Sequence, residues 1–400
     1  MTMRRLLIAL VMCSAPGAAQ NPPPGLTTIY TFTGGMDGSG PGPLTIGAGG
    51  VLYGTTASGG ANGYGTIFSL SPPAAPGGSW AYALLYSFQV DSEGVDAGTH
   101  LAIGSGGALY GTTADCSADC VAIVYSLISP SSPGGQWTFA VIGSSATEIS
   151  SVSISPGGAL YGVASSDYTG AAFALLPPAA LGGSWTAETV KRGTGFTPPV
   201  GLAIGAGLAL YGVNPGDGAL LANVFELTPP ATPGSGWTET VLCQFEGPIH
   251  GPTQLAIGGS GVLYGTVSSN GGVVYSLTPP ASPGGAWTQA TLLEFPSSPT
   301  LSEGVVPGPV TVGENGTVYG TTQNGGDSYD GTAYALKPPT SPGGAWEEIH
   351  LHTFTGSDGK YPTRLAIGAG GVLYGATIAG GYQRGPCGSN GCGTVFALAE

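Results

Sequence analysis

The chain has 400 residues, of which 74 are glycine and 34 proline; only 8% are charged and 42% are hydrophobic. Intrinsic disorder needs the opposite balance, low hydrophobicity with high charge, so the composition excludes it and points to many tight turns between buried segments. The formal net charge of −14 disfavours nucleic acid and anionic membrane surfaces as partners.

The first element is a leader. Met1-Thr2-Met3-Arg4-Arg5 precedes an apolar run from Leu6 to Met12 and then small residues to Ala19, the order of a secretory signal peptide over residues 1–20. The apolar run is too short to span a bilayer, so the mature chain, residues 21–400, is expected to be exported, not membrane-inserted, and monomeric. In that compartment close cysteine pairs read as local disulfides, here Cys116 with Cys120 and Cys387 with Cys392. Cys243 stands where Tyr30 and Tyr86 stand in equivalent segments and reads as a packed thiol.

A Tyr-Gly box then recurs seven times, at Tyr53, Tyr110, Tyr161, Tyr211, Tyr264, Tyr319 and Tyr374, spaced by 57, 51, 50, 53, 55 and 55 residues. A period of this length marks one supersecondary unit that buries its faces only against its neighbours. Residues 43–88 serve as the template. Leu44-Thr45-Ile46 is a first short strand, Gly47 to Gly50 a turn that reaches positive φ, and Val51 to Thr56 a second strand, rich in β-branched and aromatic residues. After a Gly-rich loop, Gly65 to Leu70 is the third strand, ended by Pro72-Pro73 because proline cannot continue a ladder. A Pro-Gly-Gly turn leads to Trp80 and a fourth strand ending at Phe88. The six tryptophans, Trp80, Trp137, Trp185, Trp237, Trp287 and Trp346, all occupy that turn and read as packing residues.

Four antiparallel strands per repeat describe a propeller blade. The chain ends in a third strand, Thr394 to Leu398, while Thr28-Ile29-Tyr30-Thr31-Phe32 matches the tail of a fourth strand, Leu84-Leu85-Tyr86-Ser87-Phe88. The fold expected is therefore all-β, a single seven-bladed β-propeller of four-stranded antiparallel blades, closed by the N-terminal strand completing the last blade. Blades two and three depart from the template: Val163-Ala164 replaces the Thr-Thr pair, and the strands after Trp137 and Trp185 lose the terminal Leu-x-x-Phe pattern.

The string Gly-Gly-Val-Leu-Tyr-Gly-Thr-Thr, a Gly-rich loop, Gly-Thr-Ile-Phe-Ser-Leu and Pro-Pro-x-x-Pro-Gly-Gly-x-Trp resembles the bacterial GloVer tandem-repeat proteins over residues 26–400. The glycine doublets Gly59-Gly60, Gly325-Gly326 and Gly380-Gly381 are more loosely similar to kelch and NHL-type propellers. The resemblance implies export, to the medium or the cell envelope, and a repeat fold; it carries no catalytic residues to transfer.

The repeat turns on one side of such a fold are nearly identical, whereas the loops on the other side differ from blade to blade. That variable face collects acids, Asp37 and Asp358 among them, and the candidate binding residues are Asp91, Glu93, Asp96, Asp327 and Asp330, with His100 and His250 just before first strands at the tunnel mouth. Clustered carboxylates can suit a hard cation such as calcium, but they match no calcium-binding repeat and read first as a solvated acidic surface that keeps a weakly charged chain in solution. No cofactor is otherwise expected. His350 and His352 alternate on an outer strand and are expected to face solvent. No nucleophile elbow, zinc helix or phosphate loop is present. The function expected is a binding, adhesion or scaffold module facing glycan, protein or cell envelope through the variable loops. The alternative is a propeller enzyme, a lyase, lactonase or glycan-active hydrolase, working at the tunnel mouth.

Overall fold

The computed structural model describes residues 25–399 except 76, 90–99, 114–121, 133, 146–147, 167–168, 180–182, 194–199, 217–220, 233–234, 246–251, 269–270, 283, 297–304, 342 and 382–385. Seven antiparallel sheets form the blades of a ring. In blade one the strands run Thr45–Ile46, Leu52–Ser58, Thr66–Ser71 and Ala81–Ser87 from the channel outwards, within a residue or two of the predicted bounds. In blades one, three, six and seven the inner edge carries a second short piece, such as Ser39–Pro41, Val305–Pro307 and Lys360–Pro362. Those three pieces end on a proline, which has no N–H to carry the ladder further.

The N-terminal strand does close the ring. Gly25–Thr31 pairs antiparallel with Thr394–Ala399, from Gly25 opposite Ala399 to Thr31 opposite Thr394. Its register slips between Thr28 and Tyr30, the same β-bulge that blade one has between Leu84 and Tyr86. Every outer strand bulges at this position, which adds twist where the blade fans outwards. The Cys387–Cys392 disulfide forms and sits at the closure. Phe32 N donates to the Gly393 carbonyl (3.0 Å) and Gly40 N to the Cys392 carbonyl (3.0 Å). Cys116 and Cys120 lie outside the described residues.

The core is divided into seven clusters, one at each blade–blade interface. The recurring box explains how they pack. The glycine of each box lies opposite the third-strand aromatic, as Gly54 opposite Phe68 and Gly265 opposite Tyr275, and that ring lies over the bare backbone. A Cβ at Gly265 would stand 2.5 Å from Tyr275 Oη and 3.0 Å from Leu255 Cδ2. The tyrosine of the box turns to the next blade instead. Trp137 meets Tyr53 edge-on, and the other five tryptophans likewise meet the tyrosine of the blade before them, at centroid distances of 5.6–6.4 Å. Where blade seven has no tryptophan, Leu26 packs against the cluster that holds Tyr319. The first threonine of the box ties blades together: Thr266 Oγ1 donates to Gly308 O (3.1 Å) and Thr321 Oγ1 to Thr363 O (3.2 Å).

Candidate functional site

Each blade enters its first strand from the loop face, and the residue just before that strand faces the channel. Across the seven blades this position is Pro43, His100, Ser151, Gly201, Gln254, Pro309 and Arg364. Six of these, with Val200 and Thr253, line a cavity of about 260 Å³ at the channel mouth. A second cavity of about 280 Å³ lies one layer deeper and shares Gln254 and Arg364 with the first.

The polar members are held by a hydroxyl clasp inside the first strands. The middle residue of each strand is small, as the sequence shows, because it faces the next blade at the narrowest radius. In three blades it is also a donor to the neighbour: Thr45 Oγ1 to Leu101 O (2.5 Å), Ser153 Oγ to Leu202 O (2.6 Å) and Thr311 Oγ1 to Leu365 O (2.6 Å). Each hydroxyl proton is thereby committed, and the oxygen is left as an acceptor. His100 uses the first: its Nε2–H donates to Thr45 Oγ1 at 3.1 Å, so Nε2 is the protonated nitrogen and Nδ1 holds a lone pair. Arg364 uses the third, with Nε donating to Thr311 Oγ1 at 3.1 Å. Gln254 reaches across Gly201 to donate from Nε2 to Leu202 O at 3.0 Å. A Cβ at residue 201 would stand 3.2 Å from Gln254 Cδ, so this blade's glycine makes room for the glutamine.

The electrostatics of the mouth are unusual for an acidic chain. Burial first, and then the nearby Arg364 charge, push the His100 imidazole down to about 4, so it is neutral at physiological pH. Burial also lowers Arg364 from the usual guanidinium range, yet guanidinium remains charged there. Arg364 has no carboxylate partner among the described residues. Its remaining N–H groups, the His100 Nδ1 lone pair and the Gln254 amide oxygen are unspent among the described residues. Together they offer one cationic donor set and two neutral acceptors around one opening.

Of the sequence-predicted site residues that the structure describes, only His100 is part of this arrangement. Asp327 is exposed on the loop face. Asp330 is buried and its Oδ1 lies 3.2 Å from Lys360 Nζ, an ion pair that ties blade six to the strand Lys360–Pro362. Asp91, Glu93, Asp96 and His250 lie outside the described residues. Two other acids of that face serve their own loops: Asp37 accepts from Thr33 N (2.9 Å), Thr33 Oγ1 (2.7 Å) and Tyr30 Oη (3.1 Å), and Asp358 from Thr355 N and His352 Nε2, both at 2.8 Å. Burial raises the Asp358 pKa, but these bonds outweigh it and hold the carboxyl below its ordinary value. His350 is exposed as expected, whereas His352 is half-buried against Asp358 because the bulge between Ala333 and Tyr334 ends the alternation. Cys243 is half-buried, its thiol pushed up by burial and donating to Gln289 Oε1 at 3.0 Å. No group of three or more His, Cys, Asp or Glu suited to a metal ion occurs among the described residues.

Sequence reasoning missed Arg364, Gln254 and Ser151. The signal was present as a column, the residue before each first strand, in which four of seven blades carry a polar side chain.

No protein-family model matches this chain, and no curated protein matches it in sequence. Solved structures do. A Lactobacillus plantarum protein aligns with a TM-score of 0.55 at 14% identity, over 82% of this chain and 88% of that one. The AfRom2 CNH domain aligns with a TM-score of 0.52 at 12% identity, over 94% and 99%. The PQQ-bound aldose sugar dehydrogenase of Streptomyces coelicolor aligns with a TM-score of 0.48 at 15% identity, over 96% and 99%. At such identities the two likenesses above a TM-score of 0.5 bear on the fold and on nothing narrower.

Proposed function

We propose that this chain is an exported binding module whose ligand enters from the variable loop face and is held at the channel mouth, and that the ligand carries a carboxylate flanked by hydroxyls, as an acidic saccharide does. The observation that carries this reading is Arg364, a guanidinium without a carboxylate partner among the described residues, standing in a cavity wall it shares with Gln254. Its free N–H fork suits a carboxylate, while His100 Nδ1 and the Gln254 amide oxygen accept from hydroxyls. The leader-like N-terminus, the resemblance to exported GloVer-type repeats and the disulfide support an extracellular address. Among the described residues no helix is long and apolar enough to cross a membrane.

The enzymatic alternative uses the same mouth and needs a group that exchanges protons near neutral pH. His100 at about 4 is a weak base, which favours binding over turnover. The test is calorimetric titration with acidic and neutral oligosaccharides of matched length, with product analysis of the same samples. Acidic members are expected to bind, and Arg364→Gln to weaken them about 10- to 100-fold, the range of a charge-assisted hydrogen bond. Equal affinity for both series, or an unaltered affinity in Arg364→Gln, refutes the site; product accumulation replaces the binding module with the enzyme.

A further inference from the structure

A second site lies far from the channel, on the outer flank between blades two and three. Three aromatic rings fill the corresponding place at two other interfaces. Between blades seven and one, Tyr30, Phe32 and Tyr82 gather on Phe68, with Tyr30 and Tyr82 stacked at 4.7 Å. Between blades one and two, Tyr86, Phe88 and Phe139 gather on Tyr125, with Tyr86 and Phe139 stacked at 4.3 Å. The strand registers fix the equivalent positions between blades two and three as Gly143, Ser145 and Ala187, around Phe173. All three rings are missing there.

The other interfaces replace the stacked pair with something else. Between blades three and four it becomes the Lys191–Glu239 ion pair at 2.8 Å, and between blades four and five the Cys243–Gln289 hydrogen bond. Phe245, Phe295 and Phe354 keep the third ring against the aromatics of the following blades. Between blades two and three Leu175 leans over Gly143, its Cδ1 2.9 Å from where a Cβ would stand, and a cavity of about 240 Å³ remains among the described residues. Its walls are Val124, Ile149, Phe173 and Leu175, and Arg192 stands among its lining residues.

We propose that this cavity binds a small flat aromatic molecule. The shape follows from what is absent: the site is a ring-stacking socket of this fold from which the chain's own rings have been removed. Its size fits one or two fused rings, since an apolar cavity of about 150 Å³ already takes benzene. Phe173 offers a ring face for stacking. Arg192 pairs with Ala171 on the same face of the blade as Phe173, and can lie over the ring.

The test uses the full mature chain with p-cresol, indole and toluene as probes, followed by ligand-observed NMR and calorimetry. The discriminating variants are Ser145→Phe and Ala187→Phe, which restore rings that blades one and two carry themselves. Position 143 is avoided because a Cβ there would meet Leu175 Cδ1 at 2.9 Å. The expected result is saturable binding of p-cresol, indole and toluene with a Kd of about 1 mM or tighter, and at least a roughly tenfold loss in either folded variant. Each ring-restoring variant is also expected to melt above the wild type. Absence of saturable binding, or binding unchanged in both variants, overturns the proposal.

Discussion

Replacing Gly265 by valine probes the packing rule on which every blade depends. The new Cβ would stand 2.5 Å from Tyr275 Oη, 2.6 Å from its Cζ and 3.0 Å from Leu255 Cδ2. Neither neighbour can retreat freely, because both are buried, Tyr275 at 1% exposure and Leu255 at 3%. Overpacking a well-filled core costs about 1–3 kcal/mol, and contact on two sides puts this site near the upper end. Valine returns at most about 1 kcal/mol through its better fit to a strand, so the expected net destabilisation is about 2 kcal/mol. Urea unfolding followed by tryptophan fluorescence measures it. Gly259→Ala is the control: a Cβ there meets nothing within 4 Å, and Ala48, Ala206 and Ala369 fill the equivalent place in other blades. It is expected to lie within about 0.5 kcal/mol of the wild type. Adding Tyr275→Leu to Gly265→Val should recover part of the loss, because the ring is the obstacle. A Gly265→Val protein as stable as the control refutes the reasoning.

Two further outcomes follow from single residues. Leu208 has φ 65° at a turn position that glycine holds in the other six blades. Leu208→Gly relieves a left-handed backbone and should stabilise by about 1 kcal/mol in the same urea assay; a loss of stability would show that the half-exposed side chain contributes more than its strain. His100 predicts a pH dependence. Its folded pKa, about 4, lies below its unfolded value of 6.5, so the unfolded chain takes up the proton first. The stability from keeping this imidazole neutral is complete above pH 6.5 and is lost as pH falls from 6.5 towards 4, a change of about 2–3 kcal/mol. His100→Gln should flatten that segment of the stability–pH curve, and an unchanged slope would refute the assignment.

The repeat was legible because its markers are locally dictated. Glycine next to tyrosine leaves room for a cross-strand ring, and the tryptophan after each Pro-Gly-Gly-like turn finds that tyrosine in the neighbouring blade, so the box recurs in all seven blades and the tryptophan in six. The closure was legible for the same reason, since Tyr30 and Phe32 repeat Tyr86 and Phe88 to the residue. The channel mouth was less so. Arg364, Gln254 and His100 share a position and no residue type, and only the ring brings them together. Acids misled in the opposite direction: Asp37, Asp330 and Asp358 look like free surface charge in the sequence, but folding gives each a donor of its own. Their partners lie on turns and on a neighbouring strand whose approach no local pattern announces.

The strand Gly25–Thr31 also sets the order of assembly. Blades one to six draw their four strands from contiguous stretches of chain, so each forms from local hairpins with little loop entropy to overcome. Blade seven waits for the chain's opposite end. Until Gly25–Thr31 arrives, Thr394–Ala399, whose residues from Thr394 to Leu398 are buried in the finished ring, presents an unpaired apolar edge. A second copy's N-terminal strand fits that edge as well as the chain's own does. At high concentration, refolding is therefore a competition between closing the ring and trading strands with a neighbour.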